Sequence, residues 1–312
     1  MTRSRIIVLL GIFFIIFLWW IFSAPNYFPV YKIFTVEEGK TVSEIAGELK
    51  SLSTIRSPLF FKLSLRLFSP RGIIRAGDYY FTKNESVLTV AYRFAHGQFG
   101  VPVEKITLPE GVTNAEIAKI IKRQIVDFDT EGFLAETESF EGRLFPDTYF
   151  FPVTVRPRQV ITAMLANFER RIAPLQTEIA NSGRSLEDII TMASLIEEEA
   201  KVTEVRRMIS GILWKRVDNE MLLQVDAVFP YLIGKNTFEL SLEDLKNDSP
   251  YNTYKHQGLP PGAITNPGLS AIEAALNPTA SDYWYYLADR QNVTHYAVDF
   301  EAHKVNKVRY LP

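Results

Sequence analysis

Residues 34–50 read FTVEEGKTVSEIAGELK, and residues 106–122 read ITLPEGVTNAEIAKIIK. Thr35/Thr107, Glu38/Glu110, Gly39/Gly111, Thr41/Thr113, Glu44/Glu116, Ile45/Ile117, Ala46/Ala118 and Lys50/Lys122 coincide. Each copy starts as a strand, turns at a glycine and continues with apolar residues at helical spacing. In each, a threonine stands three residues ahead of a glutamate, the signature of a capping box at a helix start. A strand–turn–helix unit used twice sets the fold class as α+β.

Working outward, residues 58–68 are an apolar-rich helix candidate and residues 77–81 a strand after a turn. Val87, Val90, Ala91 and Phe94 fall at helical spacing. Residues 34–103 therefore read as one small α+β domain. Residues 104–312 read as a second, larger mixed α+β domain. Its helices are expected at ~113–123, ~158–181, ~185–217 and ~268–276, and its strands at ~103–108, ~283–288 and ~294–299. Two domains suit 312 residues.

Ahead of the first copy, Arg3 and Arg5 precede an uncharged run from Ile6 to Ala24. About 20 helical residues cross a ~30 Å hydrocarbon core, and Trp19 and Trp20 stand where an interfacial belt belongs. The expectation is a transmembrane helix over 6–24, a cytoplasmic end over 1–5 and a spacer over 25–33. The bulk would lie outside a single-pass plasma (inner) membrane protein, the membrane being a partner through this helix. A cleaved signal peptide is the alternative, although its apolar region normally runs only ~7–15 residues.

The composition narrows the chemistry. A formal net charge of −2 offers no basic footprint for nucleic acid. The chain has no cysteine, which removes disulfides, thiolate metal sites and cysteine nucleophiles. His96, His256, His295 and His303 match no metal motif, so no metal or cofactor is expected. No GxSxG elbow or P-loop occurs.

Carboxylates remain. Residues 186–217 read LEDIITMASLIEEEAKVTEVRRMISGILWKRV, with apolar residues recurring at helical period. With Ile196 at zero and ~100° per residue, Glu197 falls ~100° away and Glu198 ~200° away, while Glu199 returns to within ~60°. Glu199 alone of the three shares the apolar face. Burial raises a carboxyl pKa, and a carboxyl protonated near neutral pH can donate to a glycosidic oxygen. The competing reading has Glu199 paired with Arg206 or Arg207. Downstream, residues 247–267 read NDSPYNTYKHQGLPPGAITNP, a proline- and glycine-stiffened segment carrying Tyr251, Asn252, Tyr254, His256 and Gln257. Its aromatic rings and amide suit stacking on sugars and bonding their hydroxyls.

These stretches resemble the YceG-like family of endolytic murein transglycosylases. The likeness lies in MASLIEEEA (192–200), LQVD (223–226), SPYNTY (249–254), GLPPG (258–262), NPG (266–268) and FPDTY (145–149). The resemblance implies cleavage of the β-1,4 bond between N-acetylmuramic acid and N-acetylglucosamine in peptidoglycan, leaving a 1,6-anhydro end. It implies Glu199 as the single catalytic acid/base, and Gln224, Asp226, Tyr251, Asn252, Thr253 and Tyr254 as substrate-binding residues. It also implies a LysM-like, glycan-binding module over 34–103, a YceG-like catalytic domain over 104–312, and action beside the cell-wall synthesis machinery. The chain departs from the family pattern at Glu198, where a lysine is usual, and at Ala227 and Val228, where proline and threonine are. Two alternatives stay open: a water-using muramidase with Asp226 or Asp147 as second carboxylate, and a non-catalytic peptidoglycan-binding scaffold.

Overall fold

The computed structural model describes residues 3–235 and 239–311, with the backbone alone for residues 3–6. The fold is mixed α+β. The chain divides into two compact units: Met1–Val103 with Pro152–Thr154, and Glu104–Phe151 with Val155–Pro312.

The first unit runs α1 (Arg3–Phe22), β1 (Ile33–Val36), α2 (Val42–Ser51), α3 (Pro58–Phe68), β2 (Gly77–Tyr80) and α4 (Val87–His96). Phe34 and Val36 alternate inward along β1. β1 pairs antiparallel with β2, Phe34 opposite Tyr79. Gly39 takes φ +86°, a left-handed turn that a side chain would strain. The Thr41 capping box then starts α2. Phe34, Ile45, Leu49, Phe61, Tyr79 and Phe94 meet in the core. A 360 Å³ cavity lies between the β1–α2 turn (Glu37, Glu38, Lys40) and the segment carrying Gly72, Ile73 and Ile74.

α1 corrects one expectation. Among the described residues, no helix is long and apolar enough to cross a membrane. The helix also ends at Phe22, where the Ser23 hydroxyl donates to the Trp20 carbonyl at 2.7 Å. Its last turn is taken up by protein: Ile21 is buried, Phe22 packs edge-on against Phe60, and Arg56 lies over the Trp20 ring. The transmembrane helix over 6–24 is thus overturned. With it go the single-pass location at the plasma membrane and the membrane as a partner. The cytoplasmic end over 1–5 rests on side chains outside the described residues.

The second unit begins with β3 (Val103–Thr107), α5 (Asn114–Gln124) and α6 (Thr130–Thr137). There follow β4 (Thr148–Pro152), which pairs with β3, then α7 (Pro157–Ile172) and α8 (Gln176–Asn181). The Thr113 capping box forms as in the first copy. Ile106, Ile117, Ile121, Phe128, Phe133 and Met164 make one core. The helix expected over ~158–181 is interrupted at Pro174 by a 3₁₀ turn, Ala173–Leu175. Proline has no N–H to continue the ladder.

The remainder is α9 (Leu186–Glu199), α10 (Thr203–Asp218), α11 (Val228–Ile233), α12 (Leu269–Leu276), the antiparallel hairpin β5 (Tyr285–Ala288) and β6 (Thr294–Ala297), and α13 (Phe300–Tyr310). Ile189, Met192, Ile196, Ile209, Leu213 and Ile272 form a second core where α9, α10 and α12 pack. The single helix expected over ~185–217 is two. Ala200 is extended at φ −153°, ψ 152°. Arg206, in α10, reaches back over the break, its Nε donating to the Ala200 carbonyl at 2.7 Å and its Nη2 to Glu197. Those bonds satisfy groups that a helix end leaves open.

Candidate active site

Three glutamates close α9, and the last of them is the last residue of the helix. Carboxylates at a helix C-terminus oppose the macrodipole, and α9 has no basic residue in its final turn to offset them. The helix is seated regardless. Ser185 caps its start, eight consecutive residues from Ile189 to Ile196 are buried, and the Ser194 hydroxyl accepts from the Ile264 N–H at 3.0 Å. A local rule broken in an element held this firmly makes the end of α9 a candidate functional site.

Each glutamate meets different surroundings. The Glu197 side chain is 6% exposed and is ion-paired to the equally buried Arg206. Its other oxygen accepts from the Gly268 N–H at 3.0 Å, at the start of α12. Burial raises its pKa, against the Gly268 bond and Arg206. Glu198 reaches the surface and lies over Gly111, where a Cβ would come within 2.6 Å of its Oε1. Loss of surrounding water, then the Glu197 and Glu116 carboxylates, raise its pKa to about 7. Glu199 carries no ion pair among the described residues. Burial pushes its carboxyl up to about 7; the Tyr286 hydroxyl beside it works the other way, and the charges of Asp226 and Glu198 push it further up. Arg206, the proposed partner of Glu199 in the competing reading, belongs to Glu197.

Two segments flank Glu199. One is the Leu222–Asp226 loop. Gln224 is exposed at φ +52°, an uncommon backbone for a residue with a side chain, and its N–H donates to the Thr253 carbonyl at 3.1 Å. Asp226 is exposed and accepts from the Tyr254 hydroxyl at 2.5 Å. The other segment is β5, which brings Tyr286 to Glu199; burial first, and then the Glu199 and Asp226 carboxylates, hold that phenol's pKa well above the ordinary 10. Sequence reasoning missed Tyr286, because an alternating aromatic strand looks like any core strand.

The 249–254 segment divides by role. Tyr254 is half-buried and holds Asp226. Tyr251 is half-buried, its ring 5.3 Å from that of Tyr231. Asn252 and Thr253 are buried and spent on the protein's own backbone. The Asn252 amide donates to the Leu245 and Asn247 carbonyls at 2.9 and 2.7 Å. The Thr253 hydroxyl donates to the Val225 carbonyl at 3.1 Å and accepts from the Val225 N–H at 3.0 Å. Both hold the loops that carry Asp226 and Tyr254.

Asp147 is engaged elsewhere. It accepts from Asn167 at 3.0 Å, from the Thr148 N–H at 2.7 Å and from Arg171 at 2.8 Å, and these bonds hold its pKa below the ordinary range. Asn266, fully buried, is a hub unread from the sequence. It accepts from the Leu144 N–H at 2.8 Å and donates to the Val112 carbonyl, Asn114 and Glu141 at 3.0, 2.9 and 3.1 Å. Among the described residues, no cluster of three or more histidine or carboxylate side chains could hold a metal ion.

The YceG-like family pattern matches residues 34–309. The endolytic murein transglycosylase of Bacillus subtilis is 31% identical over 303 residues, covering 88% of this chain and 84% of the relative. That of Streptococcus pneumoniae strain D39 is 29% identical over 318 residues; the chain spans only 58% of its length. The crystal structure of a yceG-like protein from Listeria monocytogenes superposes with a TM-score of 0.61 at 28% identity, covering 88% of this chain and 98% of that one.

Proposed function

The chain belongs to the YceG-like family, and from that premise we propose that it cleaves the β-1,4 bond between N-acetylmuramic acid and N-acetylglucosamine with Glu199 as sole acid/base, leaving a 1,6-anhydro end. In its coarser outline the activity is that of its relatives: the chain is a peptidoglycan lytic transglycosylase. The supporting observation is the Glu199 carboxyl, raised to about 7 and free of any cationic partner among the described residues. Such a group is present in both protonation states at neutral pH, which suits it to give a proton and then take one.

Glu199 first donates its proton to the glycosidic oxygen, and the C1–O bond to N-acetylglucosamine breaks. Positive charge develops at C1 and the ring oxygen, with the nearby Asp226 charge available to offset it. The Glu199 carboxylate then takes the proton of the muramyl C6 hydroxyl as that oxygen bonds to C1. Glu199 ends protonated as it began, and no water is consumed. A hydrolase would need a second carboxylate to activate water or form a covalent link. The Tyr254 hydrogen bond, directed at Asp226, fits that carboxylate for an electrostatic part.

In the first unit, residues 34–103 act as the LysM-like module and hold glycan without chemistry. The 360 Å³ cavity beside the β1–α2 turn is of a size to accept one or two sugar rings.

Mass spectrometry of digested glycan strands tests the assignment. Anhydro ends, lost in Glu199→Gln, are expected. Reducing ends would transfer the reaction to water and Asp226, and absence of cleavage would leave a binding protein.

A further inference from the structure

Arg216 lies in the last turn of α10, is 4% exposed, and pairs with no carboxylate among the described residues. Burying an arginine without a counter-ion is costly, so its bonds need a reason. Its Nε donates to the Trp284 carbonyl at 2.8 Å and its Nη1 to the Leu223 carbonyl at 2.7 Å. The guanidinium also sits over the Tyr285 ring, 4.9 Å from its centroid. Trp284 leads directly into β5 and Tyr286. Leu223 leads into Gln224, with its positive φ, and Asp226. The two segments that flank Glu199 are thus tied to one planar cation. A guanidinium can serve both carbonyls in a fixed fork, whereas an ammonium is a point charge on a flexible stem.

We propose that Arg216 is a positioning residue of the cleavage site: one buried guanidinium sets the Asp226 loop and the Tyr286 strand in place about Glu199. The proposal rests on Glu199 being the acid/base. Other charged and titratable groups around the site are Glu198, Tyr254 and Tyr285. None of them bonds both flanking segments.

The test uses the full chain as Arg216→Lys, Tyr286→Phe, the double variant and Glu199→Gln, with melting curves to establish folding. For release of anhydro-ended fragments, Arg216→Lys is expected to lower kcat on the order of 10²-fold, as a small misplacement does, with KM little changed. The double variant should be no slower than Arg216→Lys alone, because the tyrosine is already out of place. A folded Arg216→Lys with parental kcat, a loss confined to KM, or losses that multiply in the double variant would each overturn the proposal. If Arg216→Lys does not fold, Arg216→Met takes its place under the same criteria. If neither folds, the arginine serves the fold and the proposal fails. Glu199→Gln separates the two levels: its activity would sink the acid/base reading, while its inactivity beside a fully active Arg216→Lys would sink only this inference.

Discussion

Glu199→Gln should make the protein more stable at alkaline pH while abolishing cleavage. The Glu199 carboxyl titrates near 7 in the folded chain against an ordinary 4.5. A folded-state pKa above the unfolded one means that the fold favours the protonated form. Stability from this group is therefore fully present below ~4.5 and is lost as pH rises through ~7. At 1.36 kcal/mol per pKa unit, ionised Glu199 costs the fold ~3 kcal/mol at pH 8–9. Glutamine keeps the shape and never ionises, so the variant escapes that cost. The gain over the parent should be ~3 kcal/mol at pH 8–9 and shrink toward zero near pH 4.5. Denaturant melts of both proteins across pH 5–9 measure it, and the contributions of Glu141 and Glu198, also near 7, largely cancel in the difference. Parental cleavage should fall over the same interval, as the acid loses its proton. A stability difference that does not change with pH would refute the raised pKa, and with it the reason for choosing Glu199.

Glu198→Gln should leave cleavage near the parental rate and move its alkaline limb slightly downward, since the Glu198 charge raises the Glu199 pKa; a pH–rate profile reads both. Glu197→Ala strands Arg206 as an unpaired buried cation, and thermal or denaturant melts should show a loss of ~3–5 kcal/mol. Thr253→Val keeps the shape but removes both bonds to Val225. Melts should record a cost of ~1–3 kcal/mol, and cleavage should slow because the Asp226 loop is released.

What the sequence made legible follows from what its signals encode. The repeated threonine–glutamate boxes are local chemistry, and both formed where the spacing predicts. Helical period places Glu197 on the flank of the apolar face, yet its side chain is only 6% exposed, because Arg206 and the Gly268 N–H hold it inward. The end of α9 was not legible, because Ala200, Lys201 and Val202 include neither glycine nor proline. The break is held by Arg206, which lies in the same stretch but folds back to Glu197 and Ala200 only once the helix has broken, a geometry that unbroken helical period does not anticipate. Tyr286 and Arg216 were hidden because their roles depend on partners brought together across the chain: Tyr286 meets Glu199, and Arg216 joins Leu223 to the distant Trp284. α13 escaped notice because Val305 and Val308 face outward, leaving no apolar stripe to read. The apolar N-terminal run misled in the opposite direction: hydropathy counts residues, whereas the last turn of α1 already has protein partners.

The corner between α9 and α10 has a rotational consequence. Arg206 finds Glu197 only at one angular setting of α10 about its own axis. One residue added within the first turn of α10 would rotate the guanidinium by ~100°, withdrawing it from Glu197 and from the Ala200 carbonyl together. The α9 side of the corner would keep its sequence intact and still lose the bonds that hold its last turn closed. The corner works as a keyed joint, in which the spacing from Ala200 to Arg206 counts for as much as the identity of any residue within it.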